Sequence, residues 1–141
     1  MQESIAAALR ANPALCAFLG DVTDIEHLFD LHPRPMWIVD ANTLAFLAVN
    51  AAATRFYGYA KAEFLAMTAD RIRPEEDVDD LRRAFADWSN NYSQRIWRHK
   101  KKSGEIVEVR VTSFNLEFSG GRARLGVIED LTEQRGGSLQ E

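Results

Sequence analysis

The sequence contains few of the residues that would build a covalently cross-linked, metal-bound or membrane-bound structure. Its only cysteine, Cys16, excludes an internal disulfide and a metal site made of several thiolates. Its longest apolar runs are far shorter than the roughly 20 residues that a membrane-spanning helix requires. No basic region precedes the alanine-rich stretch near the start, so we expect no secretion signal. These absences predict a cytoplasmic protein without a membrane segment.

The chain also lacks the positive charge that a polyanion would attract. Its 141 residues carry a net charge of −4, and the pI is near 5.4. We therefore expect no binding to nucleic acid or to an anionic membrane. The basic run at residues 95–102 includes a predicted turn, which indicates a solvated hairpin. The acidic run at residues 75–77 precedes a predicted helix, where carboxylates interact favourably with the helix dipole.

Motifs of catalysis and metal binding are missing as well. The sequence has no Ser/His/Asp order, no glycine-rich phosphate loop and no histidine pair at metal-binding spacing. We therefore expect neither an enzyme nor a metal site. The length is suited to one globular domain with a modest core.

Two blocks of predicted strands make up the β structure. Residues 36–40 and 44–49 form a predicted hairpin around a short turn. Residues 94–101, 106–118 and 123–130 form a predicted three-stranded meander. Because short turns join neighbouring strands, the pairing within each block must be antiparallel.

The helical signals lie together between these two blocks. Asn50 is suited to cap a helix that runs to Tyr57. A second, amphipathic helix is predicted to end near residues 90–91. Its apolar stripe consists of Val78, Leu81, Phe85 and Trp88. One helical block between two β blocks predicts an α+β domain whose helices cover one face of a single sheet.

With this order of elements, the chain resembles the PAS family of sensor domains over residues 24–135. Residues 73–77 resemble the family's His-Pro-Glu-Asp element, with Arg73 at the histidine position, and residues 130–133 resemble its Asp-Ile-Thr-Glu exit motif. The family-like stretches, in order, are residues 28–29, 37–40, 49–52, 56–59, 63–65, 73–77, 102–104 and 130–133. The resemblance rests on the order and spacing of these stretches, since each motif alone is common.

The resemblance implies a five-stranded antiparallel sheet that holds a small cavity against its helices. It also implies sensing or dimerisation upstream of an effector such as a histidine kinase or a diguanylate cyclase. Residues 1–23 are then an N-terminal helical extension, residues 24–135 the sensor domain and residues 136–141 the start of a connector. A strand passes into a capped helix at the expected signal exit, which comprises Asp130, Leu131 and Thr132.

Cofactors of the resembled family can be tested against the sequence. Photoactive flavin members carry a cysteine in the loop before the long helix, where this chain has Ala69. Flavin-facing positions correspond to His99, Val109 and Ile128, of which two are apolar and would leave flavin edges unpaired. Haem members often ligate iron through a histidine on the long helix, and residues 78–89 contain none. We therefore expect no such haem and no photoactive flavin, which leaves a small apolar or amphipathic ligand, or none.

Strand alternation and the helix stripe predict the residues of the cavity. Trp97 and His99 share one strand face, which places His99 under the helices if Trp97 packs inward. His99 is then a core histidine bonded to backbone or water, a ligand contact, a metal ligand or a group titrating near neutral pH. Trp37 is either a core residue or a platform for a stacked ligand. The predicted cavity residues are Trp37, Val39, Phe56, Ile72, Leu81, Phe85, Trp97, His99, Val109, Val111 and Ile128.

Two further functions are compatible with the same pattern. One is a small α+β ligand-binding protein or enzyme of the cone-shaped, ketosteroid-isomerase-like type. That class needs a pocket acid with a raised pKa, and no acid stands out in the sequence. The other is an interaction module with a filled core, whose only function is dimerisation.

The cofactor argument predicts that the purified protein is colourless. Ala69 cannot form the thiol adduct of photoactive flavin members, and the long helix offers no histidine to haem iron. A visible absorbance spectrum of the protein as purified tests this directly. A flavin or haem band would contradict the argument.

The N-terminal segment predicts a homodimer. Residues 3–19 carry five large apolar side chains outside the family-like core, namely Ile5, Leu9, Leu15, Phe18 and Leu19. Burial of each contributes roughly 1.5–3 kcal/mol before ordering entropy is subtracted. We expect a two-fold dimer with these residues at the interface, whereas folding of the segment back on its own sheet would give a monomer.

Analytical ultracentrifugation of the full chain and of a chain lacking residues 1–20 checks the dimer. The full chain should sediment as a dimer and the shortened chain as a monomer. If both are monomers, the dimer proposal is wrong. If both are dimers, the N-terminal segment does not hold them together.

Overall fold

The computed structural model describes residues 29–89, 91–118 and 120–132. Its framework is one antiparallel sheet of five strands in the spatial order β2-β1-β5-β4-β3. The strands are β1 (Met36–Asp40), β2 (Phe46–Val49), β3 (Tyr92–Lys100), β4 (Ile106–Phe118) and β5 (Gly121–Asp130). This sheet confirms the predicted fold class. The proposed dimer residues, Ile5, Leu9, Leu15, Phe18 and Leu19, and the connector at residues 136–141 lie outside the described part of the chain.

Three α-helices and two 3₁₀ turns connect β2 to β3. The α-helices are α1 (Ala51–Tyr57), α2 (Lys61–Leu65) and α3 (Val78–Ala86), and the 3₁₀ turns are Ala69–Ile72 and Glu75–Asp77. No helix within the described ranges is long and apolar enough to cross a membrane.

The end of α3 differs from the sequence-based prediction. The helix stops at Ala86 instead of continuing to residues 90–91. At this point the guanidinium of Arg124, on β5, donates to the backbone carbonyls of Ala84 and Asp87. The last carbonyls of α3 are thus bonded to the sheet, and the chain leaves the helix toward β3. Periodicity alone did not reveal this stop because its partner lies 40 residues away in sequence.

The first hairpin also differs from the prediction in one detail. β2 begins at Phe46, two residues later than expected, because Leu44 has a φ of 67°. This left-handed conformation is incompatible with an extended strand. The side chain of Asp40 closes the turn by accepting hydrogen bonds from the backbone N–H groups of Asn42 and Thr43, at 2.8 and 2.9 Å.

Both faces of the sheet are buried. The face toward α1, α2 and α3 carries alternate strand residues such as Trp37 and Val39, which pack with Tyr57, Phe64 and Leu81 from the helices. The residues between them on the strands point to the second face. That second cluster contains Phe29, Met36, Ile38, Ala48, Phe114, Leu116, Ala123, Leu125 and Val127. The strand alternation agrees with the predicted period of two, and the helices of residues 50–90 pack on one face.

Asn50 is the buried residue at which α1, β1 and the preceding segment meet. Its Oδ1 accepts hydrogen bonds from the backbone N–H groups of Met36 and Ala53, at 2.9 and 3.0 Å. Its Nδ2 donates to the carbonyls of Phe29 and Arg34, each at 3.0 Å. With 1% of its surface exposed, Asn50 cannot exchange these partners for water. The bond from Ala53 confirms the predicted helix cap. The other three bonds of the Asn50 side chain tie the start of α1 to β1 and to the segment before it.

Replacement of Asn50 should destabilise the whole domain. We expect Asn50→Ala to lower the free energy of unfolding by about 3 kcal/mol or more, because buried N–H and C=O groups lose their partners. Asn50→Asp should be at least as harmful, since a carboxylate cannot donate to the carbonyls of Phe29 and Arg34. Urea denaturation followed by tryptophan fluorescence measures both changes.

The exposed Asn42 provides a matched control for this experiment. Asn42→Ala should change the free energy of unfolding by no more than about 0.5 kcal/mol, as for other surface positions. Equal stability losses in Asn42→Ala and Asn50→Ala would contradict the assigned role of Asn50.

Candidate functional site

A cleft of about 430 Å³ lies between α3 and the sheet. The sheet supplies its floor from four strands, and α3 with the preceding loop supplies its other side. The lining residues are Trp37, Arg73, Asp80, Leu81, Arg83, Ala84, Phe85, Asp87, Ser93, Gln94, Arg95, Trp97, Val111, Ser113, Arg124 and Gly126. The volume is within the range of small-molecule sites.

The structure distributes the predicted cavity residues among three places. Five of them line the cleft, namely Trp37, Leu81, Phe85, Trp97 and Val111. Four are completely buried in the adjoining core, namely Val39, Ile72, Val109 and Ile128. His99 is buried beside them, and Phe56 is half-buried and lines a separate groove with Pro33 and Pro35. The contact of any of these residues with a ligand stays a prediction.

The floor of the cleft depends on the absence of a side chain at Gly126. Gly126 on β5 pairs with Trp37 on β1, and both residues line the cleft. A Cβ atom at position 126 would lie 2.7 Å from Nε1 of the Trp37 indole, which is too close for two non-bonded atoms. The glycine therefore lets the indole lie over β5 and form part of the floor.

Arginines of the sheet hold both ends of α3. Just before its start, Arg98 Nη2 is 2.7 Å from Asp77 and 3.3 Å from Glu76. In its first turn, Arg95 pairs with Asp80. At its end, Arg124 donates to Ala84 and Asp87, as described above. Arg95 and Arg98 are exposed, as the prediction of a solvated basic hairpin requires, and they also pair with carboxylates at the start of α3.

The acidic run before α3 has a second partner besides the helix dipole. The hydrogen bond from Arg98 lowers the pKa of Asp77 below its ordinary value. The predicted dipole interaction and this ion pair both favour the charged carboxylate. Within the described ranges, no group of three or more histidine, cysteine, aspartate or glutamate side chains could hold a metal ion.

Arg73 is a buried cation in the wall of the cleft. Only 5% of its surface is exposed, and its Nη1 donates to the carbonyl of Ala69 at 3.1 Å. Its Cζ lies 5.0 Å from the ring centroid of Trp97. Its Nε is buried and has no hydrogen-bond partner among the described residues. Burial lowers the pKa of the guanidinium to about 10, so it is still protonated at neutral pH.

Arg73 was not among the residues predicted for the site. The sequence showed it only as a departure from the family's histidine in the element at residues 73–77. The sequence offered one signal for the burial of this side chain, namely that the arginine lies between Ile72 and Pro74 in a segment that covers an apolar sheet. Because arginine is exposed in most proteins, that signal was too weak to predict burial.

His99 and Tyr57 form a buried polar pair behind the cleft. The Tyr57 hydroxyl lies 2.5 Å from His99 Nδ1. The ring centroids of His99 and Trp37 are 5.7 Å apart. Burial lowers the pKa of His99 well below its ordinary value, and the charge of Arg73 acts in the same direction. Burial raises the pKa of Tyr57. Both groups are therefore neutral at physiological pH, and His99 does not titrate near neutrality as one reading of the sequence allowed.

The predicted signal exit begins where β5 ends. Asp130 Oδ1 accepts a hydrogen bond from the backbone N–H of Thr132 at 2.9 Å, and residues 131–132 are helical. Leu131 is buried, and the Thr132 hydroxyl accepts a hydrogen bond from the backbone N–H of Glu108 at 3.3 Å. Asp130 is thus the residue that caps the start of the exit helix, and Thr132 connects it to β4.

Several solved structures share this fold. The PAS domain of an HTR-like protein from Haloarcula marismortui is 20% identical, with a TM-score of 0.68 over 75% of this chain and 88% of that chain. A PAS domain from Desulfitobacterium hafniense is 15% identical, with a TM-score of 0.69 over 74% of this chain and 99% of that chain.

A third similar structure is a domain of a sensory box sensor histidine kinase/response regulator from Geobacter sulfurreducens. It is 23% identical, with a TM-score of 0.64 over 75% of this chain and 90% of that chain. At these identities the likeness shows the fold alone.

The sequence itself places the chain in a family. No curated protein matches it significantly. The family model described as PAS domain matches residues 33–133, which contain all five strands and the cleft between α3 and the sheet. The chain therefore belongs to the PAS domain family.

Proposed function

We propose that this PAS domain is a regulatory sensor module that binds a small molecule in the cleft under α3. The observation that carries this proposal is the cleft itself. Its lining combines the aromatic side chains of Trp37, Phe85 and Trp97, which offer apolar contact, with polar and charged side chains that can orient a ligand. The similar domain from Geobacter sulfurreducens belongs to a sensor histidine kinase/response regulator. An effector of that kind, or a diguanylate cyclase, is the expected recipient of the signal.

The proposed relay follows strand β5 from the cleft to the exit helix. Arg124 and Gly126 line the cleft, and Asp130 caps the exit helix at the end of the same strand. A ligand that displaces α3 would pull on Arg124 through the carbonyls of Ala84 and Asp87. The displacement would then reach residues 130–132 along the backbone hydrogen bonds of β5 with β1 and β4.

The enzyme alternative receives less support from the lining of the cleft. A ketosteroid-isomerase-like mechanism requires a pocket acid whose pKa is raised. Two carboxylates line the cleft, those of Asp80 and Asp87. Asp80 is paired with Arg95, and hydrogen bonds from Ser89 lower the pKa of Asp87. Neither carboxylate has the environment of a proton-accepting base in an apolar pocket.

Filling the cleft should abolish ligand binding without unfolding the domain. Ser113 lines the cleft from β4, and Ser103 lies in an exposed turn outside it. We expect native mass spectrometry to find a non-covalent small-molecule adduct on the wild-type protein and on Ser103→Phe. Ser113→Phe should lack the adduct, because its ring occupies the cleft. Thermal unfolding of the three proteins shows that each is folded.

Two outcomes would contradict the proposal. An equal adduct on Ser113→Phe and Ser103→Phe would place the ligand elsewhere. The absence of any adduct, together with no thermal stabilisation by a small-molecule library, would favour the interaction module that only dimerises.

A further inference from the structure

We propose that the ligand of the cleft is an amphipathic carboxylate, whose anionic group pairs with Arg73 and whose apolar body lies against Trp37 and Trp97. This inference rests on the proposed function, since it names the chemical class of the small molecule that the cleft binds. It depends on the charge of one buried residue and on the composition of the walls around it.

The buried charge of Arg73 is not balanced by an ion pair. None of the ion pairs among the described residues includes Arg73. Asp77 and Asp70 attract its charge only from a distance, since Asp77 binds Arg98 and Asp70 accepts a hydrogen bond from Thr68. A buried cation is costly unless an anion and hydrogen-bond acceptors compensate it. A ligand carboxylate supplies both, and its oxygens match the donor geometry of a guanidinium.

The remainder of the lining also favours an anion. Besides Arg73 it contains three arginines and two aspartates, whereas the whole chain carries a net charge of −4. Of these arginines, Arg95 lies with its Cζ 3.9 Å from the ring centroid of Trp97. Arg95 therefore adds a second guanidinium at the Trp97 wall where Arg73 lies. A cationic ligand would be repelled there, and a neutral apolar ligand would leave Nε of Arg73 unpaired.

The apolar walls define the other half of the ligand. The rings of Trp37, Phe85 and Trp97 and the side chains of Leu81 and Val111 all line the cleft. Contact with an aryl or alkyl body would remove this apolar surface from water, which is the main source of affinity for such ligands. One buried guanidinium among apolar walls is suited to a single negative charge at one end of the molecule.

A comparison of acids with their primary amides tests the role of charge on the wild-type protein. The probes are phenylpropionate, phenylbutyrate and octanoate, each titrated by isothermal calorimetry beside its primary amide. The amide has the same apolar body but no charge. Because a hydrogen bond to a charged group contributes more than one between neutral groups, we expect at least one acid to bind about tenfold or more tightly than its amide.

Substitution of Arg73 tests the location of the anion. Arg73→Gln should reduce the affinity for the acid about tenfold or more and leave the affinity for the amide nearly unchanged. Arg73→Lys keeps the positive charge and should retain part of the preference for the acid. The exposed Arg71, two residues earlier, is the matched control. Arg71→Gln removes the same charge from the chain and should bind both probes as the wild type does.

The outcomes separate this inference from the proposed function. If an amide binds as tightly as its acid, or if Arg73→Gln and Arg71→Gln behave alike, the anionic ligand is overturned while the cleft still binds a small molecule. If none of the three acids binds the wild type, the inference is likewise overturned, and the native mass spectra of Ser113→Phe and Ser103→Phe decide the proposed function separately. Should Arg73→Gln fail to fold, the acid and amide comparison on the wild type still decides whether the cleft prefers the anion.

Discussion

The rest of the fold depends on the side-chain amide of Asn50, which connects three parts of the chain. Its four hydrogen bonds join β1, α1 and the segment at residues 29–34 in a single arrangement. A buried amide stabilises one arrangement because each alternative leaves at least one of its groups unpaired. Once β1 is positioned in this way, its pairing with β5 brings Trp37 opposite Gly126. The floor of the cleft is therefore a consequence of a polar contact outside the cleft.

The helix above the cleft is held in a different manner from the rest of the core. Leu81 is the only residue of α3 that is fully buried, and Ala84 and Phe85 are half-buried against the core. Ion pairs and arginine-to-carbonyl bonds supply further contacts of the helix. Exposed ion pairs contribute only about 0–1 kcal/mol each. By contrast, Trp37, Tyr57 and Phe64 pack ring against ring in the adjoining core. Of the elements around the cleft, α3 is thus the one that a ligand could displace at the lowest cost.

The polar pair behind the cleft contributes no charge of its own. His99 and Tyr57 are neutral and bonded to each other, so the positive charge near them comes from Arg73. A core that served only for packing would gain stability by replacing this arginine with an apolar side chain of similar size. The proposal of an anionic ligand therefore rests on this buried cation beside the ring of Trp97.

The sequence by itself determined the order of the elements, the five strands and the side of the sheet on which most strand residues lie. These properties follow from local patterns, because strand side chains alternate with a period of two and caps such as Asn50 act within one turn. For the same reason the sequence placed Trp37, Trp97 and Val109 correctly on the helix side.

Only the tertiary structure decided which of these residues line the cleft and which fill the core. That division depends on where α3 ends and how far it stands from the sheet, and both are set by Arg124, Arg98 and their distant partners. Phe56, predicted for the cavity, packs half-buried against the helix-side core and lines another groove. The burial of Arg73 likewise depends on contacts with Trp97 across the cleft, and no local pattern reports a contact between segments so far apart in sequence.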